Sequence, residues 1–195
     1  MSTAFTALHL DAFREIGNIG SGNAATALST LLGSTIDLDV GLVELLPIEA
    51  CYQFFGFSPD EMTSVTHGLS EGLNGFFWFT IAKADQHLLT DKLTMGMDID
   101  PLQVLPEISN ILAGSYLMAL SSMLNMFIDL HPPSFEPITR ILDHATVFHP
   151  QVLIIQNKLL FEDQTVNCFI NTVLDNASLE RMLSALGVPL STSTH

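Results

Sequence analysis

Two Glu-x-x-Asn pairs, Glu15 with Asn18 and Glu107 with Asn110, recur 92 residues apart. On a helix, residues three apart share a face and sit about 4.5 Å from one another along the axis. A carboxylate placed there can pair with a cation on a partner or act as a base. An amide neither takes nor gives a proton near neutral pH. It does accept and donate hydrogen bonds in a fixed geometry, which suits orienting a water. Asp11 extends the first stripe by one turn, and Gln103 holds the matching place in the second. A lone pair of this kind is ordinarily a solvated helix face. Asn, however, is a mediocre helix former, so nothing local favours it in mid-helix. Its return in a diverged second copy points to function, because neighbouring positions expected to be exposed do change: Arg14 to Pro106, Gly17 to Ser109 and Asn23 to Ser115.

No Ser-His-Asp arrangement, reactive cysteine or phosphate loop accompanies the pairs. Gly17, Gly20 and Gly22 form G-x-x-G-x-G without the Lys-Ser/Thr of a P-loop. Each glycine inside a helix costs about 1 kcal/mol relative to alanine. Either close helix packing or the close approach of a docked partner would offset that cost. The seven histidines include no H-E-x-x-H, and no metal site is expected.

Helical spacing of Leu10, Phe13, Ile16, Ala24, Leu28 and Leu32 predicts a helix over 9–32, carrying the first pair. Alternation over Thr35–Pro47 predicts a strand, as do Tyr52–Phe57 and Gly75–Lys83, with a polar loop over Ser58–Gly72. A helix over Asp85–Met95 closes the first half. After a turn at Gly96–Asp100 the pattern restarts: a long helix over Pro101–Asn125 carries the second pair. A strand begins at Ile128–Leu130 and is interrupted by Pro132 and Pro133; further strands are expected over Val152–Phe161 and Thr165–Val173. The last helix, Ala177–Leu186, has Asp175 or Asn176 as its N-cap.

The 92-residue offset also aligns Ile16 with Ile108, Gly22 with Gly114, Leu28 with Leu120, Ile36-Asp37-Leu38 with Ile128-Asp129-Leu130, and Phe77 with Phe169. One offset across a helix and two strands marks a duplicated α-β-β-β-α unit. The expected fold is therefore α/β and pseudo-two-fold, with a shared antiparallel sheet and two long exposed helices. Residues 1–195 would form a single domain with halves of about 1–97 and 98–195.

Bulk properties narrow the partners. The formal charge is −15, with six Lys and Arg against 21 Asp and Glu, so the clustered basic residues of a nucleic-acid binder are missing. No stretch approaches a membrane span of about 20 apolar residues, and no secretory signal is recognisable at the start. Two cysteines make neither a disulfide framework nor a zinc site, which fits a reducing, cytoplasmic setting.

The segment EIGNIGSGNAATALSTLLG, from Glu15 to Gly33, resembles the first conserved helix of the CheC-type chemotaxis phosphatases, the CheC/CheX/FliY family. EISNILAGSYLMALSSML, from Glu107 to Leu124, resembles the second. The family pattern is Asp or Ser, three residues, Glu, two residues, Asn, twenty-two residues, Pro. The first copy here has Asp11, Glu15 and Asn18 but Gly41 in the proline position; the second has Glu107, Asn110 and Pro133 but Gln103 in the first position.

The resemblance implies hydrolysis of the aspartyl phosphate on a phosphorylated CheY-like response regulator. The regulator would supply phospho-aspartate, Mg²⁺ and a lysine; this chain would bind no cofactor. Glu15 and Glu107 would pair with that lysine, and Asn18 and Asn110 would orient the attacking water. Asp11, Gln103 and Pro133 would support them. A CheD-like receptor deamidase is a second partner the resemblance implies. The competing class is a non-catalytic interaction module, as in flagellar switch proteins that use a related fold without the pairs. Pro106 beside Glu107 removes a donor and crowds the carbonyl four residues back, so distortion of the second helix and a stronger first site are expected.

Overall fold

The computed structural model describes residues 5–47, 59–135, 151–162 and 164–189. Helix α1 (Ala7–Leu32) leads into β1 (Ile36–Pro47), β2 (Met62–Glu71), β3 (Gly75–Ala82) and α2 (Gln86–Leu93). The second half repeats the order: α3 (Pro101–Leu124), β4 (Ile128–Leu130), β5 (Gln151–Phe161), β6 (Gln164–Val166), β7 (Cys168–Leu174) and α4 (Asn176–Ala185). The strand expected at Tyr52–Phe57 lies outside the described residues.

The halves end their long helices alike. Gly33 and Asn125, equivalent under the repeat, both adopt the left-handed conformation, at φ 60° and 49°. Each turns its N–H back to an equivalent serine carbonyl, Ser29 and Ser121. Glycine enters that region freely and asparagine more readily than most residues, which is why both serve as C-terminal caps. At the other end of α3, Asp100 accepts a hydrogen bond from the Leu102 N–H at 2.9 Å. Pro101 occupies the first helical position, where no donor is needed. The helix runs unbroken through Pro106, so the expected distortion does not interrupt it. The carbonyl that Pro106 leaves without a helical donor belongs to Leu102, which is exposed.

Among the described residues all strand pairing is antiparallel, and most of it crosses between the halves. β1 pairs with β5, β2 with β4, and β3 with its own equivalent β7. Where one shared sheet is expected, the described ladders form two, ordered β1-β5-β6 and β4-β2-β3-β7. The separation begins at Asn167. The span 165–173 is two strands there, because the Asn167 N–H and side-chain amide both donate to Asp85 Oδ2, at 2.8 and 2.7 Å. β6 before it pairs with β5, and β7 after it pairs with β3 while packing along β5.

Met62–Glu71, expected as a polar loop, is strand β2. Its polar residues Thr63, Thr66 and His67 are buried; Thr63 and His67 are satisfied, whereas Thr66 Oγ1 has no hydrogen-bond partner among the described residues. Gln86 Nε2 donates to Thr63 Oγ1 at 2.5 Å, and both nitrogens of His67 have partners. A buried polar group with its hydrogen bonds made carries little penalty.

The two long helices pack on each other and on the strands. Phe13, Ile16, Leu28 and Leu32 of α1 meet Leu105, Ile108, Leu112, Tyr116 and Leu120 of α3 in one buried cluster with Phe77, Phe79 and Ile81 of β3. That burial fixes which face of each helix turns outward.

Candidate active site

The outward stripe of α1 holds Asp11, Glu15 and Asn18, and that of α3 holds Gln103, Glu107 and Asn110; all six are exposed. Among the described residues Glu15, Asn18, Glu107 and Asn110 engage no side-chain partner, so nothing in the fold occupies their polar groups. Asp11 differs: Arg14 Nη1 reaches its Oδ1 at 3.3 Å. Both ends of that pair are largely exposed, and such pairs contribute little to stability. Of the positions expected to vary on the surface, Gly17 and Ser109 are in fact buried, so their divergence reflects packing rather than drift of an exposed face.

The α1 glycines divide by role. A Cβ on Gly17 would lie 2.8 Å from Ile155 Cγ2, and one on Gly20 would run into the Tyr116 ring of α3. Those two permit close packing. Gly22 and its equivalent Gly114 have nothing within 4 Å of that position. Each lies one turn beyond its Asn, and among the described residues nothing packs against that position at either. Gly22→Ala and Gly114→Ala are each expected to raise stability by up to about 1 kcal/mol. A shift of the urea midpoint checks this; a loss of stability would mean that the surface there is already in contact.

The second pair opens on a cleft of about 380 Å³, lined by Pro106, Glu107, Asn110, Leu130, His131, Pro132 and Pro133. The structure therefore brings Pro133 to Glu107 and Asn110. Pro132 and Pro133 have no N–H to extend the β4 ladder, so the chain leaves β2 after His131, whose N–H donates to the Gly68 carbonyl at 2.9 Å, and touches it again at Ser134, which bridges to Thr66. At the first pair the equivalent segment does not leave. β1 continues through an irregularity between Val40 and Leu42, spanning Gly41, and remains paired with β5.

Three residues of the second site are not recognisable from motif spacing. His131 lines the cleft, with Nε2 2.9 Å from Ser70 Oγ and 3.6 Å from Asp129 Oδ2. His67 is buried, with Nδ1 3.0 Å from the His131 carbonyl and Nε2 2.9 Å from Ser109 Oγ. Burial holds the His67 imidazole below its usual pKa, opposed by the hydrogen bond to the His131 carbonyl. The signal in the sequence was the pair of prolines beside His131. Nothing local marks His67 or Ser109. Among the described residues no group of three His, Cys, Asp or Glu side chains is arranged to hold a metal ion.

The arrangement can present a carboxylate and an amide together, on a rigid helix, to a surface brought against it. The CheC-like family model matches residues 8–40 and 102–136, which contain the two pairs. The CheY-P phosphatase CheC of Bacillus subtilis is 28% identical over 198 residues, covering 93% of this chain and 95% of that protein. The flagellar motor switch phosphatase FliY of the same organism is 31% identical over 135 residues, and the match spans only 35% of FliY's length. The crystal structure of Thermotoga maritima FliY superposes with a TM-score of 0.77 at 23% identity, covering 94% of this chain and 98% of that one. No helix among the described residues is long and apolar enough to cross a membrane.

Proposed function

We propose, from the premise that the chain belongs to the CheC-like family, that it hydrolyses the aspartyl phosphate of a phosphorylated CheY-like response regulator in chemotaxis signalling. The observation that carries this reading is the pair of equivalent helix stripes, each presenting a Glu and an Asn that the fold leaves unengaged. In this reading the regulator brings its phospho-aspartate, Mg²⁺ and lysine to the helix. Glu15 or Glu107 pairs with the lysine and fixes the docking. Asn18 or Asn110 holds a water in line with phosphorus. Such catalysis is positioning and electrostatics, with no covalent intermediate on this chain. An acceleration of a hundredfold to a thousandfold over self-hydrolysis asks for only about 2.7 to 4 kcal/mol, which two polar side chains can supply.

The test is phosphate release from each phosphorylated response regulator of the source organism, with and without this protein. At least one regulator is expected to lose phosphate about a hundredfold faster, only with Mg²⁺ present, while the purified chain alone takes up no stoichiometric metal. If no regulator responds, the chain is a non-catalytic interaction module of the flagellar-switch kind. Binding to a CheD-like deamidase, the second partner implied by the family, is measured separately by titration. The reading places the protein in the cytoplasm with its regulator.

A further inference from the structure

The buried His67 bridges the two walls of the cleft at the Glu107–Asn110 pair. Its Nδ1 lies 3.0 Å from the His131 carbonyl, which can only accept, so Nδ1 carries the proton. Nε2 is then the acceptor for the Ser109 hydroxyl, at 2.9 Å. Both ring nitrogens are satisfied in a single tautomer, and the ring is held edge-on against Phe77, with centroids 6.2 Å apart. One end of the imidazole thus grips the segment that carries His131 and Pro133. The other end grips α3 between Glu107 and Asn110. Ser109 is fully buried and points inward, so fixing it fixes the rotation of the helix that aims its two exposed neighbours.

The first half has no counterpart. Under the 92-residue offset, Leu159 replaces His67 and Gly17 replaces Ser109. Both are buried, and neither side chain can make such a bond. The polar trio is thus confined to one of two otherwise equivalent units, beside the cleft that only this unit lines with Pro132 and Pro133.

We propose that His67 is a positioning residue for the second site, setting the spacing between the His131–Pro133 wall and the Glu107–Asn110 face of α3. This rests on the phosphatase reading above. Its consequence is that the second site is the better organised of the two.

Each site is isolated by disabling the other: Asn18→Ala leaves the second, and Asn110→Ala leaves the first. His67→Leu, which installs the residue of the first half, and Ser109→Ala, which removes a single hydroxyl and serves if the leucine variant does not fold, are then added to both backgrounds. In the Asn18→Ala background kcat on the phosphorylated regulator is expected to fall by about tenfold or more, because positioning catalysis tolerates misplacement of well under about 1 Å. KM should change little, since the docking residues remain. In the Asn110→Ala background the same changes should alter kcat by less than about twofold. Equal losses in both backgrounds would show that His67 merely supports the fold, and no loss in either would remove it from the site; both outcomes overturn the proposal. An inactive wild type counts against the phosphatase reading, whereas an inactive Asn18→Ala parent of an active wild type shows that the second site does no work and overturns the proposal. Amide exchange then decides the bridge: faster exchange at the His131 and Ser134 N–H groups in the variant supports it, and unchanged exchange overturns it.

Discussion

Asn18→Ala combined with Asn110→Ala is expected to return phosphate loss from the regulator to its uncatalysed rate, a fall of about a hundredfold or more. The amide is the group proposed to hold the attacking water, and alanine has nothing that can replace its two hydrogen-bonding functions. The fold should not notice. Both side chains are exposed and engage nothing among the described residues, so stability should change by no more than about 0.5 kcal/mol. The measurement is regulator dephosphorylation alongside a urea titration of the same protein. Full activity in the double variant would remove the water-orienting role. Loss of fold would mean that the asparagines are structural.

The single substitutions apportion that effect. The expectation of a stronger first site rested on Pro106 disturbing α3, yet the helix runs through it unbroken. Pro133 stands at the cleft beside Glu107 and Asn110, whereas β1 at Gly41 remains a paired strand. The larger loss is therefore expected from Asn110→Ala. A larger loss from Asn18→Ala would show that an open, unwalled helix face is what the regulator prefers.

What was legible in the sequence followed from repetition and period. Helices α1 and α3 carry enough regularly spaced apolar residues to declare themselves, and the constant offset exposed the duplication before any contact was known. The stripe beside the apolar face could be placed in solvent for the same reason. β2 was missed because the periodic signal counts apolar residues, and Thr63, Thr66 and His67 are buried polar ones. Thr63 and His67 are satisfied only through partners remote in sequence, Gln86 for Thr63 and Ser109 and His131 for His67, and the Thr66 hydroxyl has none among the described residues. The break at Asn167 was hidden likewise, since its cause is Asp85, 82 residues away in the chain. Gly17 and Gly22 look alike in sequence, and only the neighbour above each separates packing from vacancy.

Tyr116→Ala is expected to cost about 3 to 5 kcal/mol, the range for removing a large aromatic side chain from a core. Total stability for a domain is typically about 5 to 15 kcal/mol, so the variant should be unfolded or close to it at physiological temperature. Tyr116 is completely buried. Its ring occupies the space that Gly20 leaves above α1 and stands 5.6 Å from the Phe77 ring of β3. It therefore joins both site-bearing helices to the centre of the sheet. Removing the ring leaves a void that α1 can fill only by shifting along α3, so residual activity should fall at both sites together, unlike the one-sided loss expected from His67→Leu. The hydroxyl is the lesser part. Burial pushes its pKa up, and it has no hydrogen-bond partner among the described residues, so Tyr116→Phe should be neutral or stabilise by up to about 1.5 kcal/mol. Gly20→Ala should destabilise from the opposite side of the same contact, where Gly22→Ala two residues later should stabilise. Urea midpoints for the four variants measure all of this at once. A Tyr116→Ala loss below about 1 kcal/mol would show that the helices close over the gap and that their spacing, with the aim of both Glu-Asn pairs, is set elsewhere.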